Sequence, residues 1–137
     1  MIVFEGHLYK EGKFWLVEIP ALNLMTQSFT KSKAYKMAES LVRDASGQMK
    51  LKLNLIPMDG SVFLIQSNDL GALIPLLLKK QRQKAGLTVL EASKRLGSNS
   101  PNAYGVYEQG RARPTLAKLE ELLGAVNPKH QVMLKCA

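Results

Sequence analysis

The residue types with the most distinctive chemistry lie between Arg95 and Pro114. This stretch contains two tyrosines three residues apart, an asparagine at Asn102 and, after a glycine, the arginines Arg111 and Arg113. Arginine binds phosphate groups, and asparagine is able to make two hydrogen bonds to the edge of adenine. Contact with a nucleic acid is therefore the chemistry that this stretch favours.

The side chains that catalysis or metal binding would need are dispersed along the chain. The carboxylates of the first half show no paired spacing: Glu5, Glu18, Glu39 and Asp44. A metal-dependent nuclease needs several carboxylates that converge on two divalent ions. His7 and His130 have no nearby set of cysteines or carboxylates for zinc. We therefore expect no catalytic activity, no metal site and no cofactor.

The positive charge is concentrated in the second half of the chain. The net charge is +8. Residues 1–69 contain eight basic and seven acidic side chains, for a net of +1, whereas residues 70–137 contain eleven and four, for a net of +7. This asymmetry predicts two modules, of which the second binds an acidic partner such as nucleic acid.

Composition also bears on the setting of the protein. Cys136 is the single cysteine, so a disulfide framework is excluded and a reducing cytoplasm is the expected location. The N-terminal residues lack the pattern of a signal peptide. The most apolar run, residues 70–78, is too short to span a bilayer. We expect no membrane association.

The first half has the pattern of strands with one helix. Strands are predicted at Ile2–Tyr9, Phe14–Ile19, Leu24–Ser28, Met49–Leu55 and Val62–Gln66. Thr30 is placed to cap a helix that ends at Gly47, with an apolar face of Ala34, Met37, Ala38, Leu41 and Val42. The order β-β-β-α-β-(β) predicts a small α+β layer with the helix on one side of the sheet.

The second half has the pattern of four short helices. They are predicted at Leu73–Ala85, with Pro75 in the first turn, at Thr88–Leu96, at Ser100–Gly110 and from Thr115 to Asn127. Glycine-marked turns at this spacing are typical of a helix-turn-helix domain. The predicted organisation is an α+β domain over 1–69, a helical domain over 70–128 and a tail over 129–137.

The helical half resembles the Cro-type phage-repressor (XRE) helix-turn-helix family over residues 73–127. The landmarks that carry the resemblance are Arg82, Gly86-Leu87-Thr88, Leu96-Gly97, Glu108-Gln109-Gly110 and Pro114-Thr115-Leu116. The chain has one additional residue between Gly97 and Gly110, and Val89 stands where the family often has a phosphate-binding glutamine.

The resemblance implies that the third helix is the recognition helix of a DNA-binding domain, with Ser100 as its cap. Tyr104 and Tyr107 then occupy its inner face, and Arg111 and Arg113 contact the DNA backbone. The residues expected to contact DNA are Ser100, Asn102, Ala103, Gly105, Val106, Arg111 and Arg113.

Three features of the helical half have two interpretations each. The tyrosines are core residues or base-stacking residues, with the core favoured. Gly105 allows either a close approach to DNA or close packing against a neighbouring helix. The basic run Lys79, Lys80, Arg82 and Lys84 is either a solvated helix face or a set of DNA contacts.

The first half resembles the N-terminal domain of HicB-family antitoxins over about residues 5–55. The resemblance rests on Gly12–Val17, Ile19–Leu22 and Thr26–Thr30, followed by Ala34 and Ala38. Ser28 stands where glycine is usual and Lys33 where an acid is usual. The resemblance implies a truncated ribonuclease-H-like sheet, and the order of the two halves is that of the longer HicB antitoxins.

The two resemblances together imply the antitoxin of a HicA/HicB-type toxin-antitoxin system. Such a protein blocks an mRNA-cleaving HicA-type toxin by direct binding and, as a homodimer or higher homo-oligomer, represses its own operon by binding operator DNA. The alternative is an XRE-type transcriptional repressor whose N-terminal domain senses a small molecule or another protein.

Overall fold

The computed structural model describes residues 3–129 of the chain. The chain divides into two compact units, Met1–Leu73 and Ile74–Ala137, called unit 1 and unit 2 below. The domain limits drawn from the sequence, with a boundary between residues 69 and 70, stay predictions. The predicted tail of residues 129–137 lies outside the described residues, apart from Lys129. Within residues 3–129, no helix combines the length and apolar character needed to cross a membrane.

Unit 1 is an α+β layer. Its strands are β1 (Phe4–Glu11), β2 (Phe14–Ile19), β3 (Leu24–Ser28), β4 (Leu53–Pro57) and β5 (Val62–Ser67), and its helix is α1 (Lys31–Ser46). The sheet order is β3-β2-β1-β5-β4, and every neighbouring pair is antiparallel. This architecture confirms the predicted α+β order, including the fifth strand. The ribonuclease-H-like and HicB character of the sheet stays a prediction.

One face of the sheet, called the covered face, packs against α1. The cross-strand pairs Leu8–Val17 and Phe4–Ile65 lie on this face. Both members of each pair project to it because directly paired residues share a face of the sheet. The helix contributes the buried side chains Ala34, Ala38 and Val42, and the rings of Tyr35 and Phe63 meet edge to face at 5.5 Å. The opposite face, called the open face, carries the cross-strand row Val62, His7, Glu18 and Met25 and the row Ile56, Leu64 and Glu5.

Gly6 makes the close packing of the covered face possible. A methyl group at this position would lie 2.7 Å from Cε1 of Phe63, well inside van der Waals contact. The ring of Phe63 therefore lies over the backbone of β1, where any side chain at position 6 would displace it.

Two predictions for unit 1 were wrong in detail. Met49 was expected in a strand, but β4 begins at Leu53 and Met49 is exposed. A backbone turn closed by the bond from Leu51 N–H to Gln48 C=O precedes the strand. Met37 was expected on the buried side of α1, but it is also exposed. The buried stripe consists of Ala34, Ala38 and Val42, which were in the predicted apolar set.

The second half contains α2 (Leu70–Lys84), α3 (Val89–Arg95), α4 (Asn102–Glu108) and α5 (Leu116–Val126). The expected start of α2 at Leu73 was wrong because Asp69 begins the helix earlier. Its Oδ1 accepts a hydrogen bond from Gly71 N–H at 2.8 Å, and its C=O accepts one from Ala72 N–H. Pro75 consequently lies inside the helix rather than in its first turn, where it has no N–H to donate to the carbonyl of Gly71.

Unit 2 has its own hydrophobic core. The buried members are Leu78, Ala92, Tyr104, Leu122, Leu123 and Val126, one or more from each of the four helices. The last three come from the apolar stripe predicted for the fourth helix. Leu116, the first residue of that predicted stripe, is instead 61% exposed, because it precedes the turn of α5 that contacts the other helices.

Candidate nucleic-acid interface

The segment α3–turn–α4 has the geometry of a helix-turn-helix. Thr88 caps α3, as predicted, with its Oγ1 accepting a hydrogen bond from Glu91 N–H at 3.1 Å. Gly97 follows α3 with φ of +85°, a backbone conformation that side chains disfavour. The chain therefore leaves α3 in a sharp turn and begins α4 within a few residues.

Ser93 joins the two helices at the start of α4. This side chain is fully buried. Its Oγ donates a hydrogen bond to Pro101 C=O at 3.0 Å and accepts one from Tyr104 N–H at 3.1 Å. Ser93 thus acts as an N-cap for α4 although it belongs to α3. It accepts a hydrogen bond from an N–H group in the first turn of α4 that has no partner within the helix.

The predicted cap at Ser100 was wrong. Pro101 is the N-cap position of α4, and no local side chain caps the helix. Pro101 itself has helical backbone angles, with φ of −57° and ψ of −29°, but the first turn takes its side-chain hydrogen bond from Ser93 rather than from Ser100. This role of Ser93 was not predicted, since nothing in the local pattern distinguishes it from an ordinary helical serine.

Replacement of Ser93 by alanine is expected to lower the free energy of unfolding of unit 2 by about 1–3 kcal/mol, because a buried donor and a buried acceptor lose their partner. The matched control is Ser100→Ala, an exposed serine that should change the value by less than about 0.5 kcal/mol. Urea denaturation followed by far-UV circular dichroism measures both. Equal effects of the two variants would contradict the capping role of Ser93.

Tyr104 is a core residue, which confirms the favoured interpretation of its position. The side chain is fully buried and its hydroxyl donates a hydrogen bond to Leu78 C=O at 3.0 Å, which links α4 to α2. Tyr107 is half-buried against the same core. The ring of Tyr104 is therefore not available for base stacking.

The burial of Tyr104 leads to a prediction about alkaline pH. Burial, reinforced by the nearby Glu108, raises the pKa of Tyr104 far above its ordinary value. The folded chain keeps this proton, whereas the unfolded chain loses it near pH ~10. The contribution to stability is therefore complete below that pH and declines above it. Unit 2 should lose about 1.4 kcal/mol more per pH unit than its Tyr104→Phe variant above pH ~10, as measured by urea denaturation. Parallel pH curves for the two proteins would contradict this.

An ion pair between Arg82 and Glu108 joins the ends of α2 and α4. Nε and Nη2 of Arg82 donate to Oε2 and Oε1 of Glu108 at 2.7 and 2.6 Å, and Nη1 donates to Leu87 C=O at 2.8 Å. The two side chains are only 14% and 10% exposed. The bonds to Glu108 raise the pKa of Arg82. Arg82 is therefore a structural residue that positions α4, not a DNA contact.

The outward surface of α4 is formed by a few small and amide side chains. Asn102 is exposed, and Ala103 and Val106 are partly exposed. Gln109, at the C-terminal end, is also exposed. Gln109 was predicted only to mark the end of the helix, although its spacing of seven residues from Asn102 places both on one side.

Gly105 was expected on this outward surface, and that expectation was wrong. The residue is buried, and a methyl group at Gly105 would lie 3.3 Å from Cγ1 of Val89. The glycine allows α3 and α4 to pack closely. Of the two interpretations of Gly105, the structure therefore supports helix packing.

A double-mutant cycle tests the role of Gly105. Alanine favours a helix over glycine by about 1 kcal/mol, but the contact with Val89 opposes this gain. Gly105→Ala should change the stability of the wild-type protein by less than about 0.5 kcal/mol and should stabilise the Val89→Ala variant by about 1 kcal/mol. Urea denaturation measures the four proteins. The same gain in both backgrounds would contradict a limiting contact with Val89.

Basic side chains lie beyond the C-terminal end of α4. Arg111 and Arg113 are both exposed, and Nη1 of Arg111 approaches Oε1 of Gln109 at 3.4 Å. Lys79 and Lys84 of α2 are also exposed. Arg95 differs from these because its Nη1 donates to Ala125 C=O at 3.0 Å, near the end of α5. The structure thus leaves Arg111 and Arg113 exposed.

Within the described part of the chain, no group of three or more His, Cys, Asp and Glu side chains is arranged to hold a metal ion. Four helices, a sharp turn between α3 and α4, and an exposed α4 surface beside two arginines define a helix-turn-helix unit.

Comparison with known proteins agrees with this class. Residues 78–127 match the family model described as Helix-turn-helix. The match begins within α2 and includes α3, α4 and α5. Neither the curated proteins nor the solved structures include a significant match to this chain.

Proposed function

We propose that this protein is a transcriptional regulator that binds operator DNA through α4. The observation that supports the proposal most directly is the exposed surface of Asn102, Val106 and Gln109 with Arg111 and Arg113 beside it. A helix of this kind enters the major groove while flanking basic residues contact the phosphates. The concentration of basic residues in the second half of the chain adds long-range attraction to DNA.

The side chains of α4 favour particular bases. Asn102 and Gln109 each have an amide able to make two hydrogen bonds to adenine. Val106 and Ala103 offer apolar contact to the methyl group of thymine. We therefore expect an operator half-site rich in A·T pairs, with the arginines supplying affinity that is independent of sequence.

The small number of side chains available to contact bases favours binding as a dimer. The seven-residue helix carries one amide side chain, Asn102, and a second, Gln109, directly follows it. Two copies related by a two-fold axis double these contacts on half-sites about 34 Å apart. We propose that the protein binds a palindromic operator as a homodimer or a higher homo-oligomer.

The more specific proposal is that the protein is the antitoxin of a HicA/HicB-type system and represses its own operon. Its support is the HicB-like pattern of residues 5–55 and the order of an α+β unit before a helix-turn-helix unit. Unit 1 would then inhibit the mRNA-cleaving toxin by occlusion, without any chemistry of its own. The alternative proposal, a repressor with a sensing domain, has the same DNA-binding unit but a different ligand for unit 1.

Two measurements test these proposals separately. The first is binding to the DNA upstream of the protein's own gene, by fluorescence anisotropy over a range of salt concentrations. Affinity that falls with salt, and that is lost on scrambling the palindrome, supports the regulator. Absence of binding, or affinity independent of salt, overturns it.

The second measurement is co-expression with the protein encoded by the adjacent reading frame. A stable complex, together with rescue of growth from the toxic effect of that protein, supports the antitoxin. Normal operator binding without any complex or rescue would instead favour the repressor with a sensing domain.

A further inference from the structure

We infer that the open face of unit 1 is the docking surface for a positively charged segment of a partner protein. The inference rests on the proposed antitoxin function for the identity of that partner. The face is the side of the sheet opposite α1, and it carries three carboxylates among apolar side chains.

The strand register places every acidic residue of β1 and β2 on this face. Glu18 pairs with His7 and Met25, Glu5 pairs with Leu64, and Glu11 pairs with Phe14. Paired residues share a face, so the three carboxylates project from the same side of the sheet. Glu5 and Glu11 are exposed, and Glu18 is partly exposed.

The basic residues of the same elements lie on the other side. Lys10 pairs with Trp15 in the register of the covered face. Lys31 of α1 lies 5.7 Å from the centre of the Trp15 ring, and Lys33 and Lys36 are exposed on the same helix. The exception is Lys13 in the hairpin turn, which lies 5.5 Å from the centre of the Phe14 ring, and Phe14 pairs with Glu11 on the open face. The near-neutral charge of the first half therefore conceals an uneven distribution: the three carboxylates of β1 and β2 share the open face, where Nε2 of His7 lies 3.3 Å from Oε1 of Glu5, while Lys10 and the three lysines of α1 lie on the other side.

The central strand β1 contributes Glu5, His7, Tyr9 and Glu11 to the open face, and apolar side chains lie on the strands to either side of it. Leu16, Ile56, Val62 and Leu64 are half-buried there, and Met25 at the sheet edge is 62% exposed. Protein interfaces combine apolar and polar area in this way. The unbranched side chain of Met25 also adapts easily to a partner's shape.

One of the carboxylates is held in place before any partner binds. The hydroxyl of Tyr9 donates a hydrogen bond to Oε1 of Glu18 at 2.8 Å. A fixed carboxylate loses less conformational entropy when it pairs with an arginine or lysine than a freely rotating one does.

The sign of the charge selects the class of partner. Three carboxylates repel the phosphates of DNA and RNA, and they attract lysine and arginine side chains. The occupant is therefore a basic protein segment with apolar side chains among its lysines and arginines. A protein that acts on messenger RNA meets this description, because it must itself attract phosphate.

The test uses the full chain with the three carboxylates neutralised as Glu5→Gln/Glu11→Gln/Glu18→Gln. The Glu18→Gln change retains a side-chain oxygen that accepts from the hydroxyl of Tyr9, so the fold should be kept, and circular dichroism with operator binding checks this. The matched control is Lys31→Gln/Lys33→Gln/Lys36→Gln, which neutralises as many charges on α1. The two probes are the protein of the adjacent reading frame and a short peptide of alternating lysine and leucine, with affinity measured by isothermal titration calorimetry.

We expect the acidic triple variant to bind the adjacent protein about tenfold more weakly than wild type, and the lysine variant to bind it as wild type does. Equal binding by all three would overturn the docking surface and leave the antitoxin function intact.

If wild type does not bind the adjacent protein, the antitoxin function fails, and binding of the peptide then tests the docking surface. If wild type binds the peptide and the acidic variant does not, the result supports a basic partner of another origin. If wild type does not bind the peptide either, the docking surface is overturned. A change in the oligomer mass of the acidic variant, by light scattering, would also overturn it, because the face would then bind a second copy.

Discussion

Replacement of Arg82 by methionine is expected to destabilise unit 2 by about 3–5 kcal/mol, because it leaves the buried carboxylate of Glu108 without its partner. Arg82 makes two short hydrogen bonds to Glu108 and a third to Leu87 C=O. Methionine preserves much of the aliphatic length of arginine, so the loss reports the polar contacts rather than a cavity. Urea denaturation followed by far-UV circular dichroism measures the effect, with the fluorescence of Trp15 as the signal of unit 1.

Two further variants decide whether the ion pair itself is responsible. Lys84→Met removes a positive charge from an exposed position near the end of the same helix, and it should change the stability by less than about 0.5 kcal/mol. The double variant Arg82→Met/Glu108→Leu removes both charges and should recover most of the loss, because no charge remains buried and unpaired. A double variant as unstable as Arg82→Met would contradict this explanation.

Removal of both exposed arginines, as Arg111→Ala/Arg113→Ala, is expected to weaken operator binding about 100-fold. Each hydrogen bond to a charged group contributes about 1.5–3 kcal/mol, so at the lower end of this range two lost phosphate contacts, about 3 kcal/mol together, correspond to about two orders of magnitude. The slope of log affinity against log salt should decrease by about 0.9 for each phosphate contact that is lost. Fluorescence anisotropy with operator and scrambled duplexes measures both quantities, and the two duplexes should lose affinity equally because phosphate contacts carry no sequence information.

The matched control is Lys10→Ala/Lys13→Ala, which removes the same charge from exposed positions of unit 1. This variant should keep the salt dependence of the wild-type protein and lose little affinity. If both double variants lost the same affinity, the arginines would act only through net charge, and their proposed contact with the DNA backbone would be wrong.

The elements of this protein were predictable wherever the signal is local. Thr30, Thr88 and Thr115 each accept a hydrogen bond from the N–H three residues later, as their positions before apolar patterns indicated. Gly47 and Gly97 end helices with positive φ. A cap or a turn involves neighbours in sequence, so its energetics are contained in a few adjacent residues.

Predictions failed where residues distant in sequence decide the geometry. Local rules placed a cap at Ser100, but Ser93 satisfies the first turn of α4 from the adjacent helix. The outward assignment of Gly105 followed from helical periodicity, but its contact with Val89 depends on how α3 and α4 cross. Asp69 began α2 earlier than Pro75 indicated, because an interior proline is tolerated where the surrounding structure supports it.

The amino-acid sequence by itself determined the two-part organisation, the order of strands and helices, the concentration of positive charge in the helical half and the inward position of Tyr104. These properties follow from composition, from periodicity and from contacts between near neighbours in the chain. Only the tertiary structure decided which alternating face of the sheet α1 covers, and therefore that Glu5, Glu11 and Glu18 lie together on the open one. The tertiary structure also decided that Arg82 forms an ion pair with Glu108, whereas Arg111 and Arg113 are exposed. The physical reason is that a sequence specifies the sign of each charge but not which side chains lie beside it. Strand register and helix packing determine those neighbours.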